Sequence, residues 1–182
     1  MYSCAECSGG RLEKTIRAEH LEDLGGIRVK LLNALVVTRC NACDVHMTAI
    51  PDMQGLVKTV ALQRALIPIR LAGKDIKFMR RALDMTQKQF AEAMDLKSVE
   101  TVSRWENDVP GAGSFIEKTA RHNICALLHK EVFFSEYDPA IITRMVITEL
   151  PEGEQIEPFV MERVRIKDHC GKHDAWDRAD AA

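Results

Sequence analysis

The chain has 182 residues, with 25 basic and 27 acidic side chains and a hydrophobic fraction of 46%. This composition predicts one or two globular domains with at least one hydrophobic core. No apolar run approaches the ~20 residues of a membrane-spanning helix, and the Met-Tyr-Ser-Cys start has no basic-then-apolar leader. We therefore expect a cytoplasmic protein without a membrane segment, in a compartment where thiols stay reduced.

Charge is distributed unevenly along the chain. The net charge is +1 over residues 1–69, +3 over residues 70–130 and −6 over residues 131–182, against −2 for the whole chain. The mild basic surplus of the central segment fits a specific nucleic-acid reader that contacts few phosphates.

Two C-x-x-C pairs mark the N-terminal segment, residues 1–50. They consist of Cys4, Cys7, Cys40 and Cys43, with 32 residues between the pairs. Each turn presents two thiolates, and two such turns complete a tetrahedral site for one structural Zn²⁺. Because the spacer is longer than that of a minimal finger, we predict a β-hairpin within it, with strands over 11–20 and 27–37 and a turn at 22–26.

Other interpretations of these and the remaining thiols stay open. A redox C-x-x-C needs only one pair, disulfides are disfavoured in a reducing compartment, and a catalytic zinc would keep an open position. His46 has the spacing to replace one cysteine as a ligand. Cys125 is expected in the core. His169, Cys170 and His173 form either a second metal site, for which a fourth ligand is missing, or a polar tail.

A helical linker is predicted over residues 51–69. Pro51 precedes it, at a position where proline is tolerated, and Pro68 ends it. Its apolar face is expected to contain Met53, Leu56, Val57 and Val60.

Residues 70–130 carry the pattern of a helix-turn-helix. Ile76, Met79 and Leu83 recur at helical spacing in the first helix. Thr86 and Gln89 form a capping box that opens the second helix. Residues 95–97 give a tight turn, and Ser98 caps a third helix with Val102 and Trp105 facing inward. An amphipathic helical bundle is the alternative interpretation of this periodicity.

The outward positions of this segment are the candidate DNA contacts, because the third helix of the motif enters the major groove. They are Gln87, Lys88, Lys97, Val99, Glu100, Thr101, Ser103 and Arg104. Arg104 can donate two parallel hydrogen bonds to guanine, while Gln87, Lys88 and Lys97 are placed for phosphate contacts.

The segment resembles the Xre/Cro-type phage-repressor helix-turn-helix family. The matching stretches are Phe78-Met79-Arg80, Thr86-Gln87, Phe90-Ala91 and Val102-Ser103-Arg104-Trp105-Glu106. The resemblance implies that Arg80 and Glu106 form a salt bridge inside the domain and that Trp105 lies in the core.

The rest of the chain is predicted from capping and alternation. Ser114 and Glu117 are expected to form another capping box, which opens a helix that ends near Lys130. Residues 131–182 form an acidic C-terminal extension, with a β-hairpin over 141–148 and 158–167 and a frayed tail. It is an interaction tail or a brake on DNA binding, or else a packed or dimerising appendage.

A Cys4 module followed by such a helix-turn-helix resembles the MqsA/YgiT family of antitoxins. The resemblance covers residues 1–130 and implies a homodimer, a palindromic operator and a toxin partner bound by the zinc module. Arg104 matches the arginine of the family's recognition helix, while the family's base-reading asparagine falls on Glu100.

The sequence thus predicts an α+β protein: a zinc-binding β-hairpin module, a central all-α helix-turn-helix domain and a C-terminal β-hairpin. The expected function is a dimeric, sequence-specific transcriptional regulator of double-stranded DNA. The alternative is a zinc-dependent protein-interaction module with a helix-turn-helix that does not bind DNA. No enzyme is predicted, because no nucleophile–base pair, paired carboxylates or phosphate-binding glycine loop can be placed.

Overall fold

A computed structural model describes residues 3–7, 9–109, 113–130, 132, 138–168 and 171–179 of the chain. The architecture is α+β, as predicted, with strands from both ends of the chain and helices from its centre. Two compact units are present. The strand unit comprises residues 1–22, 29–53 and 159–182, and the helical unit comprises residues 23–28 and 54–158. Within the described ranges, no helix is both long enough and apolar enough to cross a membrane.

The strand unit contains one five-stranded sheet. Its strands are β1 (Leu12–Asp23), β2 (Arg28–Cys40), β3 (His46–Ala49), β4 (Phe159–Asp168) and β5 (Gly171–Arg178). The order is β1-β2-β4-β5, and β3 pairs with the C-terminal end of β2. The predicted N-terminal hairpin is therefore present as β1 and β2. Gly25 and Gly26 turn the chain between them at φ values of +83° and +98°, where a side chain would be strained.

The C-terminal strands belong to this same sheet. β4 runs parallel to β2, from the pair Val29–Phe159 to the pair Leu32–Glu162, and antiparallel to β5. Phe159 and Met161 are buried in β4 while Glu162 is exposed, so the strand has one apolar face for the core.

Trp176 of β5 anchors the C-terminal strands. It is 1% exposed, and its indole N–H donates to the carbonyl oxygens of Pro51 at 3.2 Å and Asp52 at 2.9 Å. The guanidinium carbon of Arg163 lies 5.2 Å from the centre of the indole ring, within the range of a cation–π contact.

The predicted pairing of the C-terminal hairpin was wrong. Residues 141–148 are not its first strand, because Asp138 caps a short helix, α6 (Pro139–Arg144), through the N–H of Ala140. The hairpin instead joins β4 to β5, and β5 lies where a frayed tail was expected. The predicted extension over 131–182 is consequently divided between the two units. The alternating residues of 158–167 predicted a strand of a hairpin. They did not predict that its partner would be β5, because that pairing depends on packing in the sheet.

In its described residues, the helical unit contains five further helices. They are α1 (Met53–Leu66), α2 (Gly73–Ala82), α3 (Gln87–Ala93), α4 (Val99–Glu106) and α5 (Ser114–His129). Most of α1, expected as a linker, belongs to this unit, since Leu56, Val60 and Leu62 are fully buried. Met53, predicted on its apolar face, is 41% exposed.

Two of the three predicted helix caps are present. Thr86 and Gln89 form a capping box at α3, and the Ser98 hydroxyl accepts the N–H of Glu100 at α4. The third was wrong, because Gly113 is the N-cap of α5. Glu117 points inward instead and accepts the N–H of Leu71 at 3.0 Å.

Four buried charged side chains organise the segment between α1 and α2. Arg64 donates to Asp75 at 2.6 Å, and Arg121 donates to Glu117 at 2.8 Å. Arg121 is fully buried and also donates to the carbonyl oxygens of Ala65, Ile67 and Ile69 at 2.6–2.7 Å. Burial lowers the pKa of Arg121, and its hydrogen bonds with Glu117 oppose that shift. These hydrogen bonds give partners to backbone carbonyl groups at the end of α1 and after it, which regular secondary structure leaves unpaired.

Arg121→Met should destabilise the helical unit by roughly 3–5 kcal/mol, because it leaves Glu117 and three carbonyl groups buried without this partner. Urea unfolding followed by circular dichroism measures the change. Arg144→Met is the matched control, since the Arg144 side chain is 77% exposed. Equal midpoints for the two variants would show that Arg121 is not a structural anchor.

Candidate metal centre and nucleic-acid interface

The four cysteines of the two C-x-x-C pairs meet at one point in the strand unit. All four Sγ atoms lie within 4.8 Å of one another. The Cys4–Cys43 distance is 3.7 Å and the Cys7–Cys40 distance is 3.6 Å. A disulfide needs about 2.05 Å, whereas four thiolates in a tetrahedron at ~2.3 Å from a metal lie about 3.8 Å apart. The cluster therefore has the geometry to hold a metal ion.

Backbone hydrogen bonds shape the two cysteine turns. In the first turn, the Cys4 N–H donates to the Gly10 carbonyl at 2.9 Å, and the Gly9 N–H donates to the Cys7 carbonyl at 2.6 Å. In the second turn, the Cys40 N–H donates to the Val45 carbonyl at 3.0 Å. The Ala42 N–H points at the Cys40 Sγ from 3.4 Å and stabilises negative charge on that sulfur.

Gly10 is a site residue that sequence analysis missed. A Cβ atom there would lie 3.0 Å from the Cys7 Sγ and closer still to the Cys40 Sγ. Only a residue without a side chain leaves room for the four sulfurs. The signal was available in the sequence, because Gly9 and Gly10 follow the first pair, but it did not show which of the two matters.

The thiols do not ionise equally. A hydrogen bond from the Gly9 backbone and another from the Cys40 thiol lower the pKa of Cys7 to about 7. The pKa of Cys43 is raised to about 12, because the neighbouring thiols and burial outweigh the opposing Val45 backbone hydrogen bond. Ionising all four thiols so close together needs a compensating cation, which a divalent metal supplies.

His46, the candidate replacement ligand, does not join this cluster. His46 is exposed, and its Nδ1 lies 3.4 Å from the Asp44 carbonyl oxygen. Cys125 is fully buried, as predicted for a core residue, and burial raises its pKa to about 12. His169, Cys170 and the side chain of His173 lie outside the described residues.

α3 and α4 of the helical unit form the helix-turn-helix. Phe90 of α3 and Val102 of α4 are fully buried and give the motif its core. Asp95 turns the chain between the helices at φ +53°, a left-handed conformation that aspartate tolerates. The Leu96 N–H then donates to the Ala91 carbonyl at 2.9 Å.

A salt bridge inside this domain connects α2 to α4. Arg80 meets Glu106 through two parallel hydrogen bonds, Nε–Oε1 at 2.5 Å and Nη2–Oε2 at 3.1 Å. Gln87 donates its amide to the same carboxylate at 2.9 Å. Burial works to raise the pKa of Glu106, but the bonds from Arg80 and Gln87 outweigh it and hold that pKa below its usual value. The predicted pairing is present, and the Gln87 side chain is bound within the domain.

The remaining candidate DNA contacts lie at the surface. Lys88, Lys97, Val99, Glu100 and Arg104 are exposed, while Thr101 and Ser103 are half-buried. The Glu100 carboxylate accepts the Ser98 hydroxyl, a bond that lowers its pKa. The acidic residue at the expected asparagine position thus takes part in the N-cap of α4.

Trp105 is half-buried, whereas the core was expected. It lines a cavity of about 320 Å³ together with Ile76, Phe90, Ile116 and Ile124. The indole ring therefore borders a cavity instead of being enclosed on all sides by packed side chains.

The helix-turn-helix segment was compared with models of known protein families. Residues 76–112 match the family model described as helix-turn-helix. The match supports a DNA-binding regulator of the Xre type. It covers most of α2 and all of α3 and α4. No curated protein and no solved structure matches the chain.

Gly10→Ala should weaken metal binding by at least about tenfold, because the added methyl group displaces the Cys40 and Cys7 sulfurs. Gly9→Ala is the matched control, since a Cβ there meets only the Cys7 carbonyl oxygen at 3.7 Å. Competition with a chromogenic zinc chelator measures both affinities, and Co²⁺ absorption reports tetrahedral thiolate ligation. Equal affinities for the two variants would contradict this account of the cluster.

The Glu106 salt bridge should make stability depend on pH. Because the pKa of Glu106 is lowered in the folded state, the salt bridge contributes its full stabilisation above the unfolded-state pKa near 4.5. This stabilisation is lost as the pH falls through the lower, folded-state pKa. Thermal unfolding should therefore show a deficit for Glu106→Gln at pH 7 that shrinks on acidification. The exposed Glu92→Gln is the control, and a constant deficit across this pH range would contradict the assignment.

Proposed function

We propose that the protein is a sequence-specific transcriptional regulator that binds double-stranded DNA as a homodimer on a palindromic operator. In this proposal it acts in the cytoplasm as a repressor and has no enzymatic activity. The observation that carries this proposal is the match of residues 76–112 to the helix-turn-helix model, on a segment folded with its own core and caps.

The free charges of the motif support this proposal. Within the described ranges, the side chains of Lys88, Lys97 and Arg104 are exposed and have no hydrogen-bond or ion-pair partner. Arg80, by contrast, is fully engaged with Glu106 and the Met85 carbonyl. A guanidinium that the domain does not use is available for guanine O6 and N7, and free ammonium groups are available for phosphates.

Two copies are needed to read a palindrome. A homodimer would place two α4 helices about one turn of DNA apart, ~34 Å, so that each enters a major groove at one half-site. The basic surplus of residues 70–130, net +3, is modest. Specificity in such a protein comes from base contacts more than from phosphate neutralisation.

The metal of the cysteine cluster is proposed to be one structural Zn²⁺. Four thiolates at tetrahedral spacing form a closed ligand set, which suits structural zinc and leaves no position for a substrate. Its binding would stabilise the turns at residues 4–10 and 40–45, since a preformed thiolate site does not exist in the unfolded chain.

An antitoxin role is the finer form of the proposal. It rests on the resemblance of the Cys4 module and helix-turn-helix to the MqsA/YgiT family, whose members repress their own operon and bind a toxin. In that role the zinc-binding module would hold a toxin protein. A small basic reading frame beside this gene that arrests growth, and is neutralised by this chain, would support it.

The second candidate is a protein-interaction module in which the helix-turn-helix is only a scaffold. Glu100 favours it, because an exposed carboxylate at the start of α4 repels phosphates. The engagement of Glu100 with Ser98 gives that carboxylate a capping role instead and weakens this argument. Binding that is equal on scrambled DNA would favour the scaffold.

Arg104→Ala should weaken binding to the DNA upstream of its own gene by roughly 1–3 kcal/mol without changing the unfolding midpoint. Fluorescence anisotropy at two salt concentrations, with a scrambled duplex beside the native one, measures the affinities. Arg144→Ala is the control for loss of an exposed arginine on another helix. Equal affinity of wild type and Arg104→Ala would place the reading surface elsewhere, and no preference for the native duplex would overturn the proposal.

A further inference from the structure

The strand β1 forms an open edge of the sheet. It has 12 residues and stands first in the strand order, with β2 on one side. Among the described residues, the only further backbone bridge beside it is that of Ser3 with Arg11, just before the strand begins. The outer row of N–H and C=O groups along a strand about 40 Å long is thus a template for another strand.

The side chains of β1 are also uncovered. Residues 13–19 are exposed without interruption, on both faces of the strand. They include Ile16, which is 64% exposed, and Leu21 further along is 66% exposed. A strand that belonged only to this sheet would bury one face, so β1 has apolar surface that its own unit does not use.

Charge is polarised along the strand. Lys14 and Arg17 lie in its first half, while Glu19, Glu22 and Asp23 lie in its second half. Glu13 is the exception to this pattern. Antiparallel pairing of two copies brings the basic half of each strand against the acidic half of the other. The strand is therefore electrostatically complementary to itself in one direction only.

Symmetry limits the register of such a pairing. Residues directly opposite each other in an antiparallel pair have their side chains on the same face of the sheet. In a pair of identical strands related by a two-fold axis, one residue must therefore lie opposite its own copy, with the axis midway between the two. With Ala18 on the axis, Arg17 faces Glu19, Ile16 faces His20, Thr15 faces Leu21 and Lys14 faces Glu22. Like charges meet only at the strand ends, where Glu13 faces Asp23.

The neighbouring registers are less favourable. An axis at Arg17 sets two guanidinium groups against each other, and one at Glu19 does the same with two carboxylates. An axis at Ile16 opposes Glu13 to Glu19. Axes at Thr15 and His20 each oppose Arg17 to a carboxylate, that of Glu13 or that of Asp23, but they pair only seven residues of each strand. The Ala18 register pairs eleven residues of each strand and sets both basic side chains against carboxylates. Opposite charges across a strand pair stabilise it and like charges destabilise it, each by up to about 1 kcal/mol.

We propose that β1 is a homodimer interface, at which the strands of two copies pair antiparallel about Ala18 and make one continuous sheet. This inference rests on the homodimer of the proposed function and names its contact surface. It does not require that the dimer bind DNA. Charged side chains on an edge strand also prevent uncontrolled pairing, and here their arrangement favours an antiparallel copy of the same strand.

Charge reversal in two complementary variants tests this interface. The acidic variant carries Lys14→Glu and Arg17→Glu, and the basic variant carries Glu19→Lys and Glu22→Lys. Each alone should show half the mass of the wild type by sedimentation velocity without DNA, because its strand becomes self-repulsive. A 1:1 mixture should recover the wild-type mass, since positions 14 and 17 of each strand again face opposite charges at positions 22 and 19 of the other. A double variant with Arg39→Glu and Arg165→Glu, at exposed positions on β2 and β4, is the matched control.

The basic variant also loses the Glu19–Lys30 salt bridge, which measures 2.9 Å. Because mixing does not restore that bridge, recovery of the wild-type mass in the mixture would show that the loss of the dimer came from strand pairing and not from damage to the fold. A wild type that sediments at the 20.5 kDa chain mass would overturn the inference and the palindromic dimer together. Unchanged mass in both variants would overturn the inference alone, and anisotropy on the upstream DNA then tests the proposed function independently.

Discussion

The helical unit depends on two buried arginines that hold the chain between α1 and α2. Arg121 of α5 donates to three carbonyl groups at the end of α1 and in the segment after it, and Arg64 of α1 donates to Asp75 at the start of α2. This arrangement ties three helices to one another, in addition to the apolar side chains that each of them buries. Burying two ion pairs costs desolvation, which is compensated only because almost every donor and acceptor is satisfied. It fixes where α2 begins, and with it the position of the helix-turn-helix.

In the strand unit the corresponding constraint is the meeting of four sulfurs. The β1–β2 hairpin brings the two cysteine pairs together, and backbone N–H groups around them favour thiolate charge. Gly10 leaves room for the sulfurs, because a methyl group there would occupy the space of the cluster. The long spacer is accounted for by the strands that it forms, and the C-terminal strands complete the same sheet.

Within the helix-turn-helix, charges divide into two groups with different roles. Arg80, Gln87 and Glu106 satisfy one another and fix the relation of α2, α3 and α4. Lys88, Lys97 and Arg104 remain exposed and without a partner in the described part of the chain. A DNA-binding surface requires this separation, because side chains that already bond within the domain cannot also bind bases and phosphates.

The sequence by itself determined the features that local spacing controls. These are the cysteine pairs, the hairpin between them, the capping box at Thr86 and Gln89, the cap at Ser98 and the salt bridge implied for Arg80 and Glu106. Each depends on residues close in the chain or on a motif of fixed length. Only the tertiary structure decided the parallel pairing of β4 with β2, the inward turn of Glu117 and the engagement of Gln87. Those choices depend on partners distant in sequence, because β alternation does not name the neighbouring strand and a buried carboxylate takes the nearest donor that packing provides.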